Sequence, residues 1–108
     1  MNLLPFNLND PLLDNILKNV VSEMNRAAKK HPDWPTCPVK RAAIVAEEAG
    51  EVIREANHIE EGHGDLQLLA KELEETAGTC LRMLLIMHKE KIEVEQFIKY
   101  TDAVLPKA

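Results

Sequence analysis

Residues 44–59 read Ile44-Val45-Ala46-Glu47-Glu48-Ala49-Gly50-Glu51-Val52-Ile53-Arg54-Glu55-Ala56-Asn57-His58-Ile59, and the period of this stretch decides the fold. At about 100° per residue, Glu47, Glu48, Glu51 and Glu55 fall within one sector of a helix roughly 100° wide. Ile44 projects into the middle of that sector, and Val52 and Ile59 lie at its edge. The acids therefore border an apolar stripe. The spacing predicts a helix from Pro38 or Val39 to about Glu60, stopped by the turn Glu61-Gly62-His63-Gly64.

Upstream, His31-Pro32-Asp33-Trp34-Pro35-Thr36-Cys37-Pro38 cannot be helical, because three prolines constrain the backbone within seven residues. Before it, Leu12, Leu13, Ile16, Leu17, Val20, Val21 and Met24 recur at helical spacing. Asp10 caps and Pro11 opens this first helix, and Lys29 and Lys30 complement its dipole at the far end. Downstream, Asp65 caps a third helix that carries Leu66, Leu69, Leu73, Ala77, Cys80, Leu84 and Met87 and ends near His88. A shorter fourth helix spans roughly Val94 to Leu105 with Phe97, Ile98 and Val104 as core candidates, before Pro106. No alternating strand pattern and no internal repeat is present. The expected architecture is all-α: one bundle-like domain of four helices over residues 1–108, with 1–9 as an irregular arm.

Composition narrows the partners. The 108 residues carry a net charge of −5, which argues against a nucleic acid polymer, since phosphate contacts need clustered Lys and Arg. A nucleotide held through a metal stays compatible, because the cation supplies the missing charge. The first residues show no basic region leading into a long apolar run, and no stretch approaches a membrane span of roughly 20 residues. A cytoplasmic protein with no membrane partner is the expectation, with Cys37 and Cys80 as reduced thiols.

A cluster of acids on one helix is ordinarily a solvated face. The third helix argues for more. Its inward stripe is Leu69, Thr76, Cys80, Met83 and Met87, and Glu72 lies within about 60° of the stripe's centre, with Glu75 on its flank. Glu74 is expected on the opposite, charged side with Gln67, Lys71, Arg82 and Lys89. A carboxylate near an apolar stripe must be protonated, paired with a cation or bound to a metal. No Lys or Arg occupies the inward positions of this helix. Two Glu-x-x-Glu pairs on facing helices place four oxygen ligands around a small cavity, which suits a hard ion, Mg²⁺ or its substitute Mn²⁺. A di-iron bundle needs two Glu-x-x-His pairs on helices, and only Glu55-Ala56-Asn57-His58 qualifies. His58 is expected as a partly exposed surface histidine.

Glu47-Glu48-Ala49-Gly50-Glu51, then twenty residues, then Glu72-Leu73-Glu74-Glu75, resembles the E-E-x-x-E…E-x-x-D signature of MazG-like nucleotide pyrophosphohydrolases. The likeness runs from Lys30 to Met87 and takes in the Asp33-Trp34-Pro35 loop. It departs at one position, where the family's closing Asp is Glu75. The resemblance implies a MazG-type fold completed by oligomerisation, as a homodimer or homotetramer with the first helix as the plausible interface element. It implies Glu48, Glu51, Glu72 and Glu75 as Mg²⁺ ligands, and Glu47 as a further ligand or as the residue that orients the attacking water. The implied reaction cleaves a nucleoside triphosphate to its monophosphate and pyrophosphate. The residues equip no other chemistry, since there is no Gly-rich phosphate loop, Ser/His/Asp set or partnered nucleophilic Cys. A catalytically silent helical oligomer that binds nucleotides or another protein is the competing reading.

Substrate contacts are more open. Trp34 either stacks on a nucleobase or plugs the end of the bundle. Lys40 and Arg41, one to three turns before the carboxylates, either touch phosphates or are surface cations, and Lys40 shares the acidic sector more closely. Gly50 and Gly78 sit inside predicted helices at about 1 kcal/mol each relative to Ala. A close helix–helix approach accounts for such glycines, as does simple tolerance of the cost.

Overall fold

The computed structural model describes the backbone of residues 5–104 and the side chains of residues 5–91. Three helices and no strand are present among the described residues: α1 (Pro11–Lys30), α2 (Pro38–Glu60) and α3 (Leu66–Val104). The expected caps form. The Asp10 carboxylate accepts from the Leu12 N–H at 2.9 Å, and Asp65 accepts from the Gln67 N–H at 2.8 Å. α2 ends in a reciprocal pair of bonds, Gly62 N–H to the Ile59 carbonyl and His63 N–H to that of His58, both 3.0 Å. That turn needs Gly62 at φ +85°, where a side chain would be strained.

The fourth helix expected from the sequence is not separate, because α3 runs unbroken for 39 residues. Lys89-Glu90-Lys91-Ile92-Glu93 contains no Gly or Pro, and all but one of these residues are strong helix formers. A pause in the apolar pattern therefore brings no break in the backbone. Phe97, Ile98 and Val104, named as core candidates, lie outside the described side chains, as does Leu105 altogether.

α3 is the central element. It packs against α1 and against α2, while α1 and α2 make no close backbone approach to each other. Around α3, the positions near Glu74, Gly78 and Leu81 face one neighbour, and those near Glu72, Thr79 and Met83 face the other. At Gly78 α1 comes close: a Cβ there would lie 3.1 Å from Met24 Cγ and 3.5 Å from the Val20 carbonyl. Gly50 has nothing within 4 Å of its missing Cβ, so close approach explains one of the two helical glycines only.

The loop between α1 and α2 is tied down by two arginines. Arg41, only 4% exposed, donates from Nε to the Pro35 carbonyl at 2.6 Å and forks onto both carboxylate oxygens of Glu90 on α3. That pairing holds the Glu90 carboxyl below its ordinary range. Arg82 donates to the carbonyls of His31 at 2.9 Å and Pro32 at 3.4 Å. Among the described residues no helix is long and apolar enough to cross a membrane, and Cys37 and Cys80 are both free.

Candidate metal centre

α2 turns Glu48 and Glu51 toward α3, and α3 turns Glu72 and Glu75 toward α2. One carboxylate oxygen from each lies within 4.8 Å of all the others. Oxygens across an octahedral Mg²⁺ stand about 4.2 Å apart, so the four groups are already near the spacing that one ion requires. All four side chains are half-buried. Among the described residues no other group of three or more His, Cys, Asp or Glu comes together in this way.

The electrostatics are those of acids crowded without enough cation. Burial, reinforced by a hydrogen bond with Glu51 and by the charge of Glu75, pushes the Glu72 carboxyl up to about 7. Burial likewise raises Glu48, with Glu51, Glu75 and Glu47 adding to it and Arg26 opposing. The Oε2 atoms of Glu48 and Glu72 are buried with no hydrogen-bond partner. A buried carboxylate oxygen left unpaired is costly. A hard divalent cation would satisfy both oxygens and reverse the crowding, so the donor set fits Mg²⁺ or Mn²⁺.

Beside the quartet, a cavity of about 430 Å³ opens between α1, α3, the first half of α2 and the loop that carries Trp34. Glu48 and Glu75 reach its wall, and the exposed Glu47 stands at its edge. Trp34 lines it half-buried, with its indole Nε1 buried and unpartnered. The Arg82 guanidinium lies 4.6 Å from the centre of the Trp34 ring, where the π-face attracts a cation. Lys40 is exposed and does not line this cavity. The guanidinium of Arg41 is taken up by Pro35 and Glu90, which makes it a tether for the loop.

Three positions differ from the sequence expectation. Arg82 was expected on a solvated face but lines the cavity. Glu74, expected to point away, is half-buried, with Asn19 of α1 donating to it at 3.5 Å, because α1 packs over that side of α3. Met87, expected inward, is 47% exposed. His58 is partly exposed, with Nδ1 3.6 Å from Glu55, and Glu55 is not part of the quartet.

Two basic residues at Glu75 were missed: Lys71, assigned to the charged side of α3, has its Nζ 4.0 Å from Glu75 Oε1, and Arg26 is the other. Arg26 reaches over from α1, with Nε and Nη2 donating to Glu23 at 2.9 and 2.7 Å and Nη2 donating to Glu75 at 3.0 Å. The only sequence signal for it was an i, i+3 acid–base pair, Glu23 and Arg26, flanking Met24 and Ala27, which also line the cavity.

Compared with protein-family models, with curated proteins and with solved structures, the chain finds no match.

Proposed function

We propose that this protein is a divalent-metal-dependent nucleoside triphosphate pyrophosphohydrolase of the MazG-like kind, using Mg²⁺ with Mn²⁺ as a substitute and acting as a homo-oligomer. The observation that carries the reading is the convergence of Glu48, Glu51, Glu72 and Glu75 within 4.8 Å, beside a cavity whose wall Glu48 and Glu75 reach and which Trp34, Arg26 and Arg82 also line. A bound divalent ion supplies charge neutralisation of the triphosphate and activation of water. The chain's own residues supply the rest. Glu47, at the cavity edge beside Glu48, accepts the proton of the attacking water. Trp34 offers the base the ring face that Arg82 leaves uncovered. The cavity's volume is in the range that encloses small organic ligands. Lys40, exposed and off the cavity, has no such support for the phosphate contact expected of it.

The test is pyrophosphate release from a panel of ribo- and deoxyribonucleoside triphosphates, with Mg²⁺ and with chelator. Metal-dependent release that Glu48→Gln and Glu72→Gln abolish is the expected result. Nucleotide binding with no release from any triphosphate, at high protein concentration, would instead favour the catalytically silent reading.

A further inference from the structure

We propose that Arg26 competes with the divalent ion for Glu75 and, once displaced, pivots on Glu23 to pair with phosphate oxygens in the adjoining cavity. This rests on reading the four glutamates as a metal site. The guanidinium is held unequally. Glu23, its neighbour on the same helix, takes two of its nitrogens at 2.9 and 2.7 Å, whereas Glu75 takes one at 3.0 Å. The Arg26 side chain is 52% exposed while Glu23 and Glu75 are 19% and 18% exposed. The arginine can therefore turn without disturbing packed atoms, and its two partners cannot follow. A divalent ion on Glu75 removes the attraction at the weaker end and adds repulsion between like charges, leaving Glu23 as the pivot. The same guanidinium already lines the cavity. Of the cavity's two arginines, Arg82 is committed to the His31 and Pro32 carbonyls and to the Trp34 ring. Arg26 is the one whose partner the metal would take away. A guanidinium freed beside a triphosphate finds the oxyanion geometry it binds best.

The competition predicts opposite signs for two substitutions, which a merely structural role does not. Mn²⁺ titration by calorimetry without nucleotide should show Arg26→Met tightening metal binding by about two- to five-fold, the worth of a partly exposed ion pair. Glu23→Gln, which leaves the guanidinium to Glu75 alone, should weaken it. Arg26→Lys should stay within about twofold of the natural protein, because a lysine keeps the charge. With Mn²⁺ saturating, inorganic tripolyphosphate should bind the natural protein at least tenfold more tightly than Arg26→Met. With a nucleoside triphosphate, KM should rise in that variant more than kcat falls. Equal or weaker Mn²⁺ affinity in Arg26→Met, or tripolyphosphate affinity that ignores the substitution, would overturn the inference while leaving the metal site standing. Mn²⁺ and tripolyphosphate binding with the expected signs, but no hydrolysis of any nucleotide, would overturn the enzymatic reading and keep this one. A natural protein that binds no Mn²⁺ overturns both.

Discussion

Burial is the largest cause of the rise of Glu72 to about 7, with the neighbouring Glu51 and Glu75 adding to it. An unfolded glutamate titrates near 4.5, so between about 4.5 and 7 the folded chain holds a proton that the unfolded chain has released. Stability in that window falls as pH rises, since the unfolded state binds fewer protons. With chelator present, the melting temperature should therefore decline from pH 5 to pH 7.5, and Glu72→Gln should flatten that slope. Metal affinity should climb over the same interval because the ion must expel the proton. A slope unchanged in Glu72→Gln would show that another group is responsible. Arg41 makes a second case at this scale. Replacing it by Met removes the donor to the Pro35 carbonyl and the cation beside Glu90, and chemical denaturation should register a loss of stability. The glutamate quartet was legible because helical phase alone separates Glu72 and Glu75 from their neighbours. Arg26 was not, since phase fixes the face a residue occupies and says nothing of which helix lies opposite. The same blindness put Glu74 and Arg82 in solvent.

Helix boundaries were legible wherever a cap or a breaker marked them: Asp10-Pro11, the prolines of the loop, Gly62 and Asp65. The boundary near His88 rested only on a lapse in apolar spacing, and helix propensity carried α3 across it. Gly78 and Gly50 looked alike in the sequence, and packing separates them. Gly78→Val should force α1 off α3, costing about 1–3 kcal/mol by overpacking, and should weaken the Arg26–Glu75 contact along with it. Gly50→Ala, with open space at its Cβ, should gain up to about 1 kcal/mol from helix propensity. Thermal melts of the two variants test the assignment. Similar losses in both would mean that Gly50 also faces a neighbour, one supplied by another copy of the chain.

The chain is more open than a compact domain of its length. Its radius of gyration is 19.0 Å, where a compact domain of this length has about 13 Å. It exposes 8804 Å², against about 6,100 Å² for a folded monomer of this mass. Val20 is the one buried apolar side chain of the core among the described residues, and none is fully buried. Leu66, Leu73, Leu84 and Met87 lie exposed along one stripe of α3, and Leu12 and Ile16 lie exposed on α1. That the chain is helical was legible from period alone. Whether a second copy covers these side chains is not legible from period, because an apolar stripe looks the same whether its partner is intramolecular or another chain; the homo-oligomer is what the resemblance implies. Sedimentation should give a multiple of 12.2 kDa. Leu73→Asp with Leu84→Asp should reduce that mass and lower helicity; a natural protein that sediments as a stable monomer would sink the assembly. Trp34 has a last consequence. As the chain's single tryptophan, with a cation against one ring face and the glutamates across the cavity, it is a built-in fluorophore. Its emission needs no label and no competing chromophore has to be removed. Metal arrival, the swing of a neighbouring charge and the stacking of a base would each change that one signal, so their order in time can be read from a stopped-flow trace.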